Sequence, residues 1–380
     1  MLAPRSRAEV AAKSDRQPKA VTNFRSWEPP EALTRALFVL VILIVGIPIA
    51  LRALGFEVVP ATLALLRGSL GSRYAFTSGS LVRATPLILT GLSVAIAFRA
   101  GVFNIGAEGQ LLAGASAATA VASLPVFAQS SSSPWIGLVA GVIAGAAWAG
   151  IAAVLRARFH VLEVISTILL NFVALYVVAF LVRGPLQEPL HIYPQSATLG
   201  LSARLPRILP SSRLHAGFLI AIGAAVAAWW LIRYSAAGFR LRIVGANPDA
   251  ARIAGEIDVA RTTTRAFIAS GALAGLAGAI EVTGVTFALY ENLSPGYGYT
   301  GIAVALLARL DPLGVVASGL LFGALEAGAS AMQRDAGVPS VVVSMIEAII
   351  ILGLIIAWPL ERTERPRRWR DQSASESGGQ

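Results

Sequence analysis

Three polar side chains able to hydrogen-bond a solute, Asn104, Glu108 and Gln110, sit close together in otherwise apolar sequence, Gly101-Val-Phe-Asn-Ile-Gly-Ala-Glu-Gly-Gln-Leu-Leu-Ala-Gly114. A carboxylate in hydrocarbon is costly, so Glu108 is expected to face a bundle interior, a polar cavity or a specific partner. The glycines at 101, 106, 109 and 114 weaken a helix but admit another backbone at close range. With the Phe103 ring beside them, these groups offer amide, carboxylate and aromatic contacts to a solute. The competing reading is a tightly packed interface helix whose carboxylate is satisfied by a neighbour.

Further polar groups interrupt apolar sequence elsewhere. Asn171 closes Glu163-Val-Ile-Ser-Thr-Ile-Leu-Leu-Asn171, and Tyr297 and Tyr299 follow a breaker in Ser294-Pro-Gly-Tyr-Gly-Tyr299. Glu281, Glu326 and Glu347, with Glu108, would suit a proton relay in an ion-coupled carrier. Enzyme chemistry is poorly provided for. There is no Cys, and the three His, at 160, 191 and 215, have neither ligand-type spacing nor an obvious carboxylate partner. Neither a metal site nor a resident cofactor is expected. The Gly-x-x-x-x-Gly-Lys-Ser/Thr phosphate loop is also missing, so the chain cannot itself hydrolyse ATP.

The elements that position these residues follow from composition. Of 380 residues 56% are hydrophobic and 14% charged, against roughly 25% charged in soluble domains. Apolar runs near the ~20 residues that cross a bilayer make this an all-α polytopic membrane protein. About ten transmembrane helices are expected, near 33–54, 78–98, 101–124, 135–155, 161–182, 216–234, 263–289, 299–308, 313–332 and 339–358. The membrane domain is thus 33–358. A polar, basic arm (1–32) and a basic, then Ser/Gly-rich tail (359–380) read as disordered and cytoplasmic. Residues 55–77 read as a short interfacial helix, and the proline-rich 183–215 as an extended loop or small lid.

The formal charge of +10 would suggest nucleic acid in a soluble protein. Here most basic residues fall in loops and tails on one side of the ten-span topology, so membrane orientation explains them and nucleic acid is not an expected partner. The excess predicts both termini inside, 235–262 inside and 183–215 outside. Arg67, Arg73, Arg204, Arg207 and Arg213 are exceptions on the outer side. Ten spans divide as five plus five, the parity of an inverted repeat. Span three then corresponds to span eight, and both begin with a Gly- or Pro-interrupted polar stretch, the usual pointer to a transport site.

The inner segment 235–262 encodes a helix of about two turns. Asn247 is a good N-cap, Pro248 fits the first helical position, Asp249 suits the positive end, and Gly255 stops the helix. Arg252 and Ile253 are expected on its exposed face. Such a helix either lies on lipid headgroups or docks in a protein groove, and its shortness favours docking.

Several separated motifs, in order, resemble the permease of an ATP-binding-cassette importer in the branched-chain amino acid and simple-sugar permease superfamily. Phe103-Asn-Ile-Gly-Ala-Glu-Gly-Gln110 is similar to the signature of its nucleoside/simple-sugar branch. Glu163–Asn171, Arg183-Gly-Pro-Leu-Gln-Glu-Pro189 and Gly298-Tyr-Thr-Gly-Ile-Ala-Val-Ala-Leu306 resemble the larger permease of that branch. The similarity spans about 35–358. It implies a bacterial inner-membrane protein paired with a second, related permease, cytosolic ATPases that bind ATP and Mg, and an extracytoplasmic solute-binding protein. It also implies that 247–255 is the element seated in the ATPase. On this reading Phe103, Asn104, Glu108, Gln110, Asn171, Tyr297 and Tyr299 line the path of a nucleoside or simple sugar. Branched-chain amino acids are the alternative solute.

Overall fold

The computed structural model describes residues 45–128, 130–253 and 257–339, with Val41, Val341, Val342, Ser344, Met345 and Ala348 besides. The expected arm (1–32), the first part of span one, most of span ten with Glu347, Gly255 and the tail (359–380) lie outside the described residues.

The described part of the membrane domain is mainly helical. In order come α1 (Ile47–Ala53), α2 (Val58–Leu70), a π-turn (Ala75–Ser80) running into α3 (Leu81–Arg99), α4 (Ala107–Ala122), α5 (Ser133–Phe159) and α6 (Glu163–Arg183). After a long loop follow α7 (Gly217–Tyr234), α8 (Ala236–Ala246), α9 (Pro248–Ile253), α10 (Val259–Glu281) with a π-turn to Thr286, α11 (Tyr297–Leu307) and α12 (Pro312–Ala336). Among the described residues six helices are long and apolar enough to cross a bilayer: α3 with its π-turn, α5, α6, α7, α10 with its π-turn, and α12. The protein is therefore a polytopic membrane protein.

Burial separates these six into two groups. Of their most apolar stretches, 83% of α3, 72% of α10 and 61% of α12 is buried, against 33% or less of α5, α6 and α7. The first three are central and the others peripheral. Between helices in lipid there is no apolar driving force, so small residues allow the close packing that holds them. Gly275 of α10 shows this. A Cβ there would strike the backbone of both Gly141 and Gly145 of α5, and one at Gly114 of α4 would strike Gly275. The Gly/Ala density of span four serves this crossing.

Two expectations are corrected. The short helix expected in 55–77 is present as α2, but it is packed into the bundle: it buries Ala61, Ala64 and Leu65 in one cluster with Leu325, Ala329 and Met332 of α12, and Gly68 lies against Gly328 and Ala331. Segment 235–262 is also more helical than expected. α8 precedes the two-turn helix, capped by the Ser235 hydroxyl, which accepts the Gly238 N–H at 3.0 Å, and α10 begins at Val259.

The 183–215 loop is extended, with a single short helical turn at Leu201–Ala203. It is stitched to the segment leading into α11. Ser196 N donates to Leu289 O at 2.7 Å, Leu199 N to Phe287 O at 2.7 Å, and Leu205 N to Thr283 O at 2.9 Å. An Arg183–Glu291 ion pair and the Arg204 guanidinium stacked 4.2 Å over the Phe287 ring reinforce the seam.

Candidate functional site: a junction of two half-helices

The spans expected at 101–124 and 299–308 are both broken. α4 has 16 residues and α11 has 11, so they rise about 24 Å and about 17 Å, less than the ~30 Å hydrocarbon thickness. Each starts inside the bundle after irregular backbone. Gly101, at φ +72°, turns the chain after α3, and 102–106 then run against α10 through Asn104.

Asn104 holds that passage in place. Its Nδ2 donates to Ser270 Oγ at 2.8 Å and Gln110 Oε1 at 3.0 Å. Its Oδ1 accepts the Gly106 N–H at 2.8 Å and Gln110 Nε2 at 3.1 Å. Ser270 Oγ lies 2.9 Å from Ser93 Oγ, tying α10 to α3. All four side chains are buried. In a water-poor interior a fully paired network of this kind is rigid, and losing one partner strands another.

α4 and α11 meet near their N-termini and run apart. Glu108 Oε2 accepts the Gly298 N–H at 2.7 Å, and the Ser294 hydroxyl also bonds that carboxyl group. α4 advances along α10 from the Asn104–Ser270 bond to Gly278, which faces Leu111 and Ala115, while α11 advances along α3 from Tyr297, which shares a cavity with Val82 and Arg83, to the contact of Val304 with Gly91. Since α3 and α10 run antiparallel to each other, α4 and α11 point to opposite ends of the bundle. Two positive helix ends converge, and an acidic side chain between them is the complementary group. Gly298 is required by this approach, because a Cβ would overlap Glu108 N and Cα. Ser294 Oγ caps α11 by accepting the Gly296 and Tyr297 N–H groups at 3.2 and 3.0 Å.

Asn171 of α6 locks the junction from one side. Its Oδ1 accepts the Gly109 N–H at 2.8 Å, and its Nδ2 donates to Ile105 O at 2.9 Å and Tyr299 Oη at 3.2 Å. Asn104, Glu108, Gln110, Asn171 and Tyr297 are all buried, whereas Tyr299 is 44% and Phe103 54% exposed. Phe103 meets Phe98 edge to face at 5.2 Å. The structure thus joins Asn171 to Tyr299 and Asn104 to Gln110 directly, while Glu108 bonds the start of α11 rather than any of these side chains. The outward-facing members are the two aromatic rings. Sequence reasoning missed Ser294, whose position just before Pro-Gly was a readable cap signal, and Ser93 and Ser270, which carry no spacing signal within apolar runs.

The second predicted group lies at the opposite end from the 183–215 loop. Asn247 Oδ1 accepts the Asp249 and Ala250 N–H groups at 3.1 and 2.9 Å, as an N-cap should. Pro248 opens α9, Arg252 pairs with Asp249 at 3.3 Å, and Ile253 is 87% exposed. Behind α9 a cavity of about 470 Å³ is lined by Arg156, His160, Arg252, Asp258 and Phe267 among others. Arg99 lies at the same end, its carbonyl against Gly245. Among the described residues no three His, Cys, Asp or Glu side chains cluster as metal ligands would.

Comparison with known proteins gives this geometry a family. Residues 76–358 match the family described as branched-chain amino acid transport system / permease component. The glucose ABC transporter permease protein TsgB13 of Haloferax volcanii is 40% identical over 91% of this chain and 94% of its own length. The guanosine ABC transporter permease protein NupP of Bacillus subtilis is 39% identical over 84% of this chain and 93% of its own. The nucleoside ABC transporter permease protein NupB of Lactococcus lactis is 34% identical over 73% and 78%. No solved structure matches the chain. With its motifs, its broken helices and these relatives in agreement, the chain belongs to the branched-chain amino acid transport system permease family, as a multi-pass ABC transporter permease and a transport subunit rather than an enzyme.

Proposed function

We propose that this chain forms half of the path by which an ATP-driven importer takes up a nucleoside or simple sugar. The observation that carries the reading is the junction of α4 and α11, where two helix N-termini meet inside the bundle and the nearby Phe103 and Tyr299 rings are exposed. Exposed ring faces beside a polar junction suit a hydroxylated ring or a nucleobase. The buried Asn104, Glu108, Gln110, Asn171 and Tyr297 act by holding those rings and helix ends in register. Relatives named for glucose, guanosine and nucleoside transport support this solute class. The family description also names branched-chain amino acids, so these are the second reading.

The opposed half-helices support a five-plus-five inverted repeat with α4 and α11 as counterparts, as in transporters whose site lies between repeats. The end bearing Arg99, Arg156, Arg240, Arg242, Arg252 and Arg261 faces the cytoplasm by the positive-inside rule, with both termini there. α9 is the coupling helix. Its capped start and exposed Arg252 and Ile253 suit insertion into a groove of a cytosolic ATPase, which binds ATP and Mg. A second permease pairs with this one as a heterodimer, supported by the NupB and NupC permeases that share one organism, and an extracytoplasmic binding protein delivers the solute.

The test is uptake of labelled guanosine, glucose and leucine in cells with and without the chain. Loss of guanosine or glucose uptake, abolished by ATP depletion and insensitive to a protonophore when ATP is clamped, is the expected result. Loss of leucine uptake alone would favour the second reading. Uptake that follows the proton gradient would return Glu108, Glu281 and Glu326 to a proton relay.

A further inference from the structure

Two of the arginines that defy the positive-inside pattern, Arg67 and Arg213, share one cavity with two further arginines. Arg67 of α2, Arg83 of α3, Arg213 of the long loop and Arg334 of α12 all line one cavity of about 350 Å³ at the end of the bundle opposite α9. Among the described residues none of the four takes part in an ion pair, and Asp335 is the one acid among the lining residues. Gly68, Gly79 and Ala331 are also on its lining, where α2 and the π-turn pack against α12. Hydroxyls steady its wall: Arg83 Nη2 donates to Ser330 Oγ at 3.1 Å, and the Arg213 N–H donates to Ser78 Oγ at 3.0 Å. Arg83 and Arg213 also reach an adjoining cavity of about 140 Å³ whose lining includes Glu281 and Tyr297. Glu281 therefore offsets part of the charge at the floor, and the mouth keeps a positive excess. Four guanidinium groups from four segments repel one another unless an anion sits among them, and guanidinium forks match phosphate oxygens.

We propose that this cavity binds the phosphate of an anionic phospholipid headgroup. What favours a lipid over a free anion is the surface that continues from it. The helix carrying Arg67 exposes Leu63, Leu66 and Leu70, and the Tyr74 ring, also on the cavity wall, is exposed beyond them. Leu63, Arg67 and Leu70 share a helix face at i, i+4 and i+7. An apolar strip below a basic cavity, with an aromatic ring at its rim, is the layout that acyl chains and a headgroup occupy together.

The experiment uses the purified full chain, stripped of lipid in detergent. It is offered phosphatidylglycerol or phosphatidylcholine with identical acyl chains, and bound lipid is counted by native mass spectrometry. Wild type should retain one phosphatidylglycerol at least about tenfold more tightly than phosphatidylcholine. Arg67→Gln/Arg334→Gln, both exposed positions and so compatible with folding, should lose that preference by about tenfold. Arg73→Gln, on the same segment but outside the cavity, should keep it. Equal retention of the two lipids by wild type, or an unchanged preference in the double variant, overturns the proposal. Complete displacement of phosphatidylglycerol by excess inorganic phosphate also overturns it, in favour of a free-anion site. If the double variant keeps its lipid but loses an acidic extracytoplasmic protein, the cavity is a protein-docking site and the proposal fails.

Discussion

Replacing Gly298 with Ala tests whether the half-helix junction is as tight as its geometry requires. The added Cβ would overlap Glu108 N and Cα and the Ala107 carbonyl carbon. All three are backbone atoms, so no rotamer change relieves the clash and the two helix ends must separate. Overpacking costs about 1–3 kcal/mol. Stretching the Gly298 N–H bond to Glu108, now 2.7 Å, forfeits about 1.5–3 kcal/mol. Alanine's helix propensity returns about 0.8–1 kcal/mol. The net loss is roughly 2–5 kcal/mol. Gly223→Ala is the control, since a Cβ at that α7 position meets nothing within 4 Å. It should be neutral or stabilising by up to about 1 kcal/mol. The assay is the apparent melting temperature of each detergent-solubilised variant, alongside uptake in vesicles. Gly298→Ala should melt well below wild type and transport poorly. If it matches Gly223→Ala in melting and wild type in uptake, the junction is not close-packed and the reasoning is refuted.

Arg252→Glu, which puts a reversed charge on the exposed face of α9, should release the ATPase or uncouple its ATP hydrolysis from uptake while leaving membrane insertion intact; stoichiometric co-purification with full uptake would return α9 to the lipid surface. Asn247→Ala should act through the helix start alone, costing about 1 kcal/mol and reducing uptake only mildly. Cysteines at Leu201 and Ala250, both exposed on a Cys-free background, should label from opposite sides with an impermeant maleimide; same-side labelling would break the topology. Glu188 is held below its ordinary value of 4.5 by the Gln195 side chain and the Tyr193 N–H. A depressed carboxyl pKa stabilises above the unfolded value and is lost as pH falls through the folded one, so the 188–195 turn should stay protected from protease at neutral and mildly acidic pH and open only below the ordinary value. Glu188→Gln should open it at neutral pH.

What could be read in the sequence was the set of polar groups that membrane burial makes costly. Asn104, Glu108, Gln110, Asn171 and the tyrosines stood out because apolar sequence surrounds them, and the structure gathers them at one junction. Their roles were not readable. That Asn171 serves Gly109, Ile105 and Tyr299 at once depends on how α6 lies across two broken helices, and no local spacing encodes it. The packing of α2 escaped because Arg67 and Gly68 interrupt its apolar run, yet Gly68 is where it meets α12. α8 escaped because its buried stripe is only Gly238, Leu241 and Val244, too narrow to register as a helix period. Asn247 and Pro248, by contrast, form a local signal, and the cap appears where local chemistry put it.

The claim that matters most is that the solute passes the exposed Tyr299 and Phe103 rings near the junction. Tyr299→Cys and Phe103→Cys in the Cys-free chain can each be treated with a membrane-impermeant thiol reagent during guanosine or glucose uptake. The account predicts that modification at either position blocks ATP-dependent uptake, and that the transported solute protects the cysteine while an untransported one does not. Full uptake after complete modification of both positions would contradict it.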